Sequence, residues 1–568
     1  MLSLTLHTKG IYMRKVFTLG LACLLILGFT LTNLQAQNPI STGNISGSFQ
    51  TDVQYLFPDS IIGAEAVDEK VLSNSFLQLT YQKDNFSAGL RYEAYLNPLL
   101  GFDRRYEGQG IAYRFAAYQS EKLDLTIGNF YDQFGNGIVF RSYQEWTLGI
   151  DNSIDGVRLK FDPIPGVSIK GIIGKQRDFW ERSESIIRGA DLELGINDLV
   201  PALEESRTKI SLGISGVSKY QEDDDVNLRL PENVGAFSAR ARVVRGGFNM
   251  DTEYAYKIND PINRNGFSYN PGQAFFINGA YSKKGFGITA SFKRLDNMDF
   301  RSERSVSLQE LTLNFLPPIS RFHTYRLPTL YPYATQPNGE VGYQATLFYT
   351  IPRGSKLGGK YGTQLSFNYS RIHGLDTTYT DFPFRYETNF SNEVNTLFGF
   401  GPSRLFFTDF NFDISRKWNK KLTTVLTYIN MIYDVNIIQL GSFNGGADTV
   451  RAQIGVLELQ YKIKRKVALR TEFQYMHTQQ DMGSWAMILA ELSFSPHWYI
   501  TLFDEYNFGN PDPGRRVHYY NAQVAYAFGS NRVQFGYSRQ RQGLLCVGGI
   551  CREVPSSNGF ALSVTSSF

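Results

Sequence analysis

The chain has few cysteines, few histidines and little net charge. Its 568 residues include 3 cysteines and 6 histidines, and Cys546 and Cys551 are the two cysteines beyond residue 36. The formal net charge is +4, and Lys9, Arg14 and Lys15 near the amino terminus contribute to it. Because the sequence lacks the basic excess that is typical of nucleic-acid-binding proteins, we expect no nucleic-acid partner.

Beyond residue 37 the sequence has no apolar run long enough for a membrane-spanning helix, which needs about 20 residues. Apolar residues make up 42% of the chain and aromatic residues 14%, yet the mean hydropathy is −0.26. A helical membrane protein would be more hydrophobic. A transmembrane β-barrel places its apolar residues in alternation with polar ones, so its average hydropathy resembles that of a soluble protein.

The one long apolar run lies at the amino terminus, over residues 16–31. It follows two basic residues and precedes Ala36, a small residue suited to a cleavage site. This order predicts a secretory signal peptide over residues 1–36, with Met13 as the true start and residues 37–568 as the mature barrel.

Two other interpretations of this run are weaker. A lipoprotein signal would use Cys23, but the apolar residues continue past that cysteine. A membrane anchor is also an alternative, but a run of about 16 residues is short for a spanning helix.

The last ten residues, 559–568, alternate between apolar and small polar side chains. The apolar positions are Phe560, Leu562, Val564 and Phe568. The period of two predicts a strand with an apolar face, and the terminal phenylalanine resembles the C-terminal signal of bacterial outer-membrane barrels. This resemblance implies the barrel-assembly machinery as a partner during biogenesis, and the apolar face implies contact with outer-membrane lipid.

Strands with this alternation recur along the mature chain, joined by tight turns and by longer polar loops. The second face of these strands carries ionised residues: Arg91, Glu93, Arg470 and Glu472. A polar lumen accommodates such residues, whereas the core of a soluble β-sandwich does not. We therefore predict an all-β fold, a large transmembrane antiparallel β-barrel, with these four side chains facing the lumen.

Pattern counting gives about 25 candidate strands, but a single-chain bacterial barrel needs an even number. Two solutions stay open. If residues 306–315 form no strand, then residues 296–339 are one long loop and the barrel has about 24 strands. If residues 371–403 contain a further strand, the barrel has about 26.

The loop at residues 128–146 has a composition suited to constricting a pore. It carries Asp132, Gln133, Arg141 and Glu145 among several aromatic residues. A barrel this wide leaves an open lumen unless loops fill it. Two interpretations of this loop stay open, an inward-folded constriction and an ordered surface loop. The proline- and tyrosine-rich residues 316–339 are a second candidate for a lumen-filling segment.

No catalytic constellation stands out in the sequence. The histidines of the mature chain form no metal-spaced pair. Asp504 and Glu505 are the carboxylates nearest to His518, but acidic residues are so common in this chain that chance explains their proximity. Glycine-rich pieces lack the strand–helix context of a phosphate loop. We expect no enzymatic activity, no metal and no cofactor.

Cys546 and Cys551 are the two cysteines left after removal of the signal peptide. The Val-Gly-Gly-Ile between them lets the chain fold back, and such a pair in an exported protein is expected to oxidise. The chain-entropy contribution of so short a loop is about 2 kcal/mol. The predicted disulfide therefore shapes a loop more than it stabilises the fold. Two free thiols are the alternative.

Several stretches of the sequence resemble a known family. They are GNFYDQFGNGIVFRSYQEW at 128–146, GIDNSIDGVRL at 149–159, KRLDNMDFRSER at 293–304, HTYRLPTLYPYATQPNGEVGYQ at 323–344, GGKYGT at 358–363 and GLLCVGGICREVP at 543–555. Together they resemble a family of uncharacterised outer-membrane β-barrels from Bacteroidota, over essentially the whole mature chain. The resemblance implies a barrel in the outer membrane of a Gram-negative bacterium and brings no catalytic residues.

The leading functional hypothesis is a porin-like channel or transporter for small polar solutes. It follows from the expected barrel size, from the mixed charges of the inner face, and from the short segment before the first strand, which leaves no room for a plug domain. The alternative is a structural or assembly barrel that acts as a docking partner of a secretion or cell-surface complex, with an occluded lumen.

Overall fold

Alternating apolar and polar residues favour β-strands over most of the chain, and the computed structural model shows them. It describes residues 43–306, 310–441 and 446–568. The predicted signal peptide at residues 1–36 lies outside the described residues. Ile45–Phe568 form one compact unit.

Within the described residues, twenty-four strands form the barrel, numbered here in chain order. The first twelve are β1 Asn44–Leu56, β2 Val71–Lys83, β3 Phe86–Leu96, β4 Gly108–Gln119, β5 Leu123–Phe130, β6 Ile154–Phe161, β7 Val167–Asp178, β8 Ile186–Gly195, β9 Thr208–Tyr220, β10 Asn233–Arg245, β11 Phe248–Lys257 and β12 Gly272–Lys283. The others are β13 Phe286–Asp296, β14 Gly339–Ile351, β15 Thr363–His373, β16 Leu405–Lys417, β17 Leu422–Asp434, β18 Thr449–Lys464, β19 Val467–His477, β20 Trp485–Phe494, β21 Trp498–Tyr506, β22 His518–Phe528, β23 Asn531–Gln540 and β24 Ser557–Ser567.

The sheet closes into a ring. Each strand pairs antiparallel with the next, and β24 pairs antiparallel with β1 from Ser48↔Ser567 to Leu56↔Gly559. The predicted antiparallel barrel is thus confirmed, with the final strand in the closing position. Closure satisfies strand edges that would otherwise be open, which a barrel in lipid requires.

The strand count follows the first of the two solutions left open by the sequence. β13 and β14 pair from Phe286↔Tyr349 to Asp296↔Gly339, so residues 297–338 form one long connection between neighbouring strands. Part of the candidate strand 306–315, residues 307–309, lies outside the described residues. Residues 374–404 add a small hairpin, Thr377–Asp381 with Arg385–Thr388, that pairs only within itself among the described strands.

Short and long connections alternate around the ring. The connection from β10 to β11 is Gly246-Gly247, and that from β12 to β13 is Lys284-Gly285, whereas residues 97–107 join β3 to β4. We call the two ends of the barrel the turn end and the loop end. An even number of strands places β1's start and β24's finish together at the turn end.

The outer face of the barrel is apolar, because every second residue of a strand points outward. Exposed side chains on this face include Ile127, Leu159, Ile173, Ile214, Phe275, Leu457, Ile488 and Leu502. The inner face carries buried charged residues such as Glu253, Lys293 and Glu505. This arrangement is the reverse of a soluble protein and suits a barrel that spans lipid.

Shorter elements lie in the connections. The helices are α1 Ile196–Leu199, α2 Phe390–Leu397 and α3 Val435–Ile438, with 3₁₀ turns at Arg104–Tyr106, Trp146–Leu148, Pro201–Leu203, Asn263–Asn265, Pro328–Leu330 and Pro513–Arg515. The short strands are Gln144–Glu145 with Ile150–Asp151, Glu181–Arg182 beside β7, and Gly543–Val547 with Ile550–Val554. Among the helices of the described chain, none is long and apolar enough to cross a membrane.

The carboxy-terminal residue, Phe568, completes the pairing of β24 with β1, the seam at which the ring closes. Gly47 N–H donates to the Phe568 carbonyl at 2.9 Å, and Phe568 N–H donates back to the Gly47 carbonyl at 3.0 Å. The Phe568 ring lies against Gly47 so closely that a Cβ there would be 2.5 Å from its Cζ atom. A glycine at this position lets the last side chain cover the seam.

We expect Gly47→Val to weaken closure, because the added side chain displaces the Phe568 ring. The expected loss is about 1–3 kcal/mol, typical of overpacking, seen as a smaller heat-modifiable folded fraction on gels after refolding. Gly455→Val is the matched control, since Gly455 is also in a strand and a Cβ there meets no atom within 4 Å. Equal folding of the two variants would contradict this account of the seam.

Candidate functional site: the loop-filled lumen

Two connections at the loop end turn into the barrel. Inner loop 1 is residues 131–153, between β5 and β6, and inner loop 2 is residues 297–338, between β13 and β14. Both contain residues that are fully buried although they belong to no barrel strand, for example Phe134 and Phe300 at 0% exposure. The lumen is therefore the candidate functional site.

Asp132 attaches inner loop 1 to the nearby wall. Its carboxylate accepts from Arg158 Nε at 2.7 Å and from Lys170 Nζ at 2.8 Å. Arg158 also contacts Asp124 at 3.1 Å. These partners lie on β5, β6 and β7, so a loop residue joins a ladder of charges on the inner wall.

Arg91 and Glu93 belong to a buried four-residue cluster. Arg91 Nε donates to Glu93 Oε1 at 2.6 Å, and Arg177 bridges Glu93 at 2.8 Å and Asp151 at 2.6 Å. Arg91 also contacts Asp151 directly. No member's side chain exceeds 6% exposure. The cluster joins β3, the end of β7 and inner loop 1.

The electrostatics of this cluster keep Asp151 ionised. Burial alone would raise the pKa of the Asp151 carboxyl, but the Arg177 and Arg91 guanidinium groups outweigh it and hold the pKa below its usual value. Asp151 also accepts from the Tyr131 hydroxyl at 2.8 Å.

The tip of inner loop 1 reaches a different part of the wall. Asn136 N–H donates to Glu253 Oε2 on β11 at 2.8 Å. Gly135, with φ +52°, lies so close that a Cβ would be 2.8 Å from the same carboxylate. Because β11 is five strands beyond β6 in the ring, the loop crosses part of the lumen.

The other three residues predicted to constrict the pore make contacts within or between the loops. Arg141 pairs with Gln133 in an isolated bridge, and its guanidinium lies 4.1 Å from the centre of the Phe315 ring in inner loop 2. Glu145 accepts from Thr147 N–H at 3.1 Å. Of the four, Asp132 is the one whose side chain pairs with charged wall residues, and Lys170 Nζ also donates to the Gln133 carbonyl at 3.1 Å.

The two inner loops hydrogen-bond to each other. Arg141 N–H donates to the Leu313 carbonyl at 2.8 Å, and Phe315 N–H donates to the Gly137 carbonyl at 2.9 Å. The Asn314 amide donates to the Ile138 carbonyl at 3.1 Å. The loops therefore form one structure within the barrel.

Inner loop 2 reaches opposite sides of the wall. On β7, Gln176 bonds to Ser302 Oγ at 2.7 Å and to the Thr312 carbonyl at 2.9 Å. On β19, Gln474 Oε1 accepts from Leu327 N–H at 2.9 Å. These strands stand twelve positions apart in the ring, so the loop extends across the full width of the lumen.

Charged and aromatic side chains hold the far half of inner loop 2. Its contacts there are His323 with Asp409 at 2.8 Å, Tyr331 with Asp481 at 3.0 Å, Tyr325 with Glu458 at 3.5 Å, Arg321 with Asp413, and Arg326 with Glu505. Burial, with the Glu458 carboxylate, raises the pKa of Tyr325 to about 12. The tyrosines therefore stay protonated and donate.

Arg470 and Glu472 lie beside these contacts. Arg470 Nη2 bonds to Glu458 at 3.0 Å and also contacts Glu472. Glu472 is 3% exposed. Both side chains belong to the inner-wall charge network beside Tyr325.

An apolar core fills the space between the polar anchors. Loop residues and inward strand residues form one cluster, whose loop members at 0–1% exposure are Phe134, Ile138, Val139, Phe140, Met298, Phe300, Leu313, Ile319, Leu327 and Tyr331. A wide lumen that held only water would give these side chains no burial. The core makes the inner loops a packed plug.

The predicted disulfide is present and caps this plug. Cys546 and Cys551 are bonded across the hairpin Gly543–Val547 and Ile550–Val554. Thr335 N–H donates to the Gly549 carbonyl at 3.1 Å, and Arg552 Nη2 donates to the Thr147 carbonyl at 2.9 Å. The hairpin thus contacts both inner loops.

His518, which has Asp504 and Glu505 nearby in the sequence, lies in a different environment from the plug. His518 Nδ1 lies 2.8 Å from Asp504, and both side chains are partly exposed. Glu505 instead contacts Arg326 and Arg541 inside the barrel. Among the described residues, no group of three or more His, Cys, Asp or Glu side chains is placed to hold a metal ion.

Fold and site together define a closed β-barrel whose lumen is filled by its own loops. The chain belongs to a family of unknown function, DUF6029, which matches residues 13–568. No curated relative matches the sequence.

Solved structures resemble the chain at low identity. The siderophore receptor PirA from Pseudomonas aeruginosa is 10% identical, with a TM-score of 0.40 over 94% of this chain and 81% of that chain. The P pilus usher PapC translocation pore is 9% identical, with a TM-score of 0.43 over 92% and 99%. OpdQ from Pseudomonas aeruginosa is 11% identical, with a TM-score of 0.30 over 93% and 97%.

Asp151→Asn is expected to destabilise the barrel by about 3 kcal/mol, because it leaves two buried guanidinium groups short of a carboxylate. The measurement is denaturant unfolding in detergent micelles. Since the pKa of Asp151 is lowered, its contribution is present at neutral pH and is lost as the pH falls below about 4. The difference between wild type and variant should therefore shrink in acid.

Asp68→Asn provides the control for this substitution. Asp68 is 91% exposed and 3.9 Å from Arg104, so its loss should not change the unfolding midpoint. Equal midpoints for wild type and the Asp151 variant at neutral pH would contradict the role given to the buried cluster.

Replacing both Cys546 and Cys551 by serine should loosen the hairpin and leave the barrel folded. We expect local opening to become easier by about 2 kcal/mol, measured as faster hydrogen exchange at Thr335, whose amide donates to the hairpin. The Leu327 amide, bonded to Gln474, is the internal control. Unchanged exchange at Thr335 would show that the disulfide does not hold the plug.

Proposed function

We propose that the protein is an outer-membrane channel or transporter for small polar solutes, kept closed by a plug built from inner loops 1 and 2. The observation that carries the channel is the charged inner wall, which includes Arg470 and Glu472. The reach of inner loop 2 from Gln176 on β7 to Gln474 on β19 carries the plug. The apolar outer face and the closed ring support a place in the outer membrane. The proposal includes no catalytic activity.

The anchors of the plug are suited to a gate. They are largely ion pairs and hydrogen bonds between loop and wall, such as Arg326 with Glu505 and Tyr331 with Asp481. Such contacts can be exchanged for contacts with water when the loops move, at a modest net cost. The wall behind them, with Arg470 and Glu472, would then face a polar passage.

The strand register makes the plug removable. Asp296 and Gly339 are directly paired at the end of β13 and β14, so a two-residue Asn-Gly turn can replace residues 297–338. Phe130 and Ile154 are paired in the same way, so the same turn can replace residues 131–153. Neither change requires a shift in register.

The test is single-channel conductance of the folded protein in a planar bilayer. We expect the wild type to be closed for most of the time and the barrel without residues 297–338 to show stable open steps. Removal of residues 131–153 as well should enlarge the steps. The control replaces residues 507–517, which join the paired residues Tyr506 and His518, and should stay closed.

A second function, a docking barrel for a cell-surface complex, is favoured by the filled lumen, which this alternative predicts, and by one exposed surface. Residues 374–404 expose several aromatic side chains: Tyr379 at 52%, Phe382 at 75%, Phe390 at 58%, Phe398 at 72% and Phe400 at 88%. Exposed aromatic residues are typical of protein-binding surfaces. If the folded barrel without both inner loops stays silent, the channel proposal is wrong and the docking function is preferred.

A further inference from the structure

The barrel wall has an incomplete seam between β4 and β5. The two strands pair only from Phe115↔Gly128 to Gln119↔Asp124, whereas β4 pairs with β3 up to Gly108. Residues 108–114 therefore lack a strand partner on the β5 side among the described strands. The gap lies in the loop-end half of the wall, beyond the point where β5 and β6 end and inner loop 1 connects them.

A cavity of about 620 Å³ occupies this gap. Ile111 and Arg114 of β4 line one side, and Lys175 and Arg182 line the other. Asp155 of β6 lies between them. We call this cavity the lateral notch.

The lateral notch opens at the edge of the apolar outer band. Ile127, Val157 and Ile173 are exposed on the outer face at 55%, 38% and 50%. Asp155 and Lys175 lie two residues further toward the loop end, so by strand alternation they also face outward. The change from apolar to charged residues marks the level where a lipid headgroup meets the barrel.

The charges of the lateral notch favour an anion. Arg114 and Arg182 share Asp155 at 3.5 and 2.5 Å, and their side chains remain 55% and 50% exposed. Lys175 adds a third cation, and Glu181 adds a second carboxylate to the lining. Arg177 also lines the cavity, but its charge is matched inside by Glu93 and Asp151. The outward-facing groups thus keep a net positive charge.

The longer loops of outer-membrane barrels are extracellular, so the loop end lies at the outer leaflet. We propose that the lateral notch binds the phosphate-bearing headgroup of an outer-leaflet lipid. Guanidinium groups bind phosphate oxygens through paired, charge-assisted hydrogen bonds, and two of them face the same opening. The acyl chains would lie on the apolar band below the notch. This inference rests on the proposed membrane location, but it does not require that the barrel conducts.

The edge of β4 beyond Arg114, whose N–H bonds to Asn129 Oδ1 at 3.0 Å, also offers backbone groups to a peptide strand. The cluster of cations beside an apolar band suits a lipid better, because strand addition needs no charge at that level. Strand addition is therefore an outcome of the test and not the proposal.

The test is native mass spectrometry of the full barrel in detergent, titrated with lipid A, with dephosphorylated lipid A and with inorganic phosphate. We expect lipid A to bind at least about tenfold more tightly than its dephosphorylated form, because each basic residue at a lipid surface favours an anionic headgroup. The double variant Arg114→Gln with Arg182→Gln should lose that preference.

A matched control removes the same charge elsewhere. The control is the double variant Arg242→Gln with Arg207→Gln. Arg242 pairs with Asp251 at 3.4 Å, and Arg207 lies in the connection between β8 and β9. This variant should bind lipid A like the wild type. If the Arg114 and Arg182 double variant does not fold, Lys175→Gln replaces it, with an expected loss of about fivefold.

Equal binding of the two lipid forms, or unchanged binding by the double variant, would overturn the proposal. So would binding of inorganic phosphate without lipid selectivity, or a co-purified peptide that cross-links to residues 108–114. A silent barrel that still selects lipid A would contradict the channel and keep the lipid site. A conducting barrel without this selectivity would contradict the lipid site alone.

Discussion

Satisfying the backbone is the constraint on which this structure depends. A strand in lipid must pair on both sides, because no water is present to replace a missing partner. The ring meets this requirement through the pairing of β24 with β1, and Gly47 with Phe568 completes the last contact of that seam. The remaining features follow from closing so many strands into one ring.

Closure creates an interior too wide for wall side chains to fill. Inner loops 1 and 2 occupy it with a core of their own, which includes Phe134, Phe140 and Phe300. Buried ion pairs add little net stability compared with apolar packing, but removing one partner is costly because the other charge stays buried and unpaired. Pairs such as Asp132 with Arg158 therefore determine where the plug rests more than how stable the barrel is.

The plug also changes the wall. Inner loop 1 begins after Phe130 of β5 and ends before Ile154 of β6. At the loop end of the barrel, β5 and β6 are therefore shorter than β4. This early departure lets Asp151 reach Arg91 and Arg177, and it leaves residues 108–114 without a strand partner on the β5 side among the described strands. The plug and the lateral notch are consequences of the same shortening.

The sequence by itself determined the barrel, because alternation, tight turns and a terminal aromatic strand are local patterns. It also predicted the disulfide over two free thiols, since Cys546 and Cys551 flank four residues that suit a hairpin, and the structure shows the bond. Whether residues 128–146 turn inward was left open, and only the tertiary structure decided it. The partners that fix the plug are far apart in the chain: Glu93 and Arg177 are 84 residues apart, and Arg326 and Glu505 are 179 apart. Local periodicity places Glu93 and Glu505 on a strand face, but only closure of the ring and the path of inner loop 2 bring these partners together.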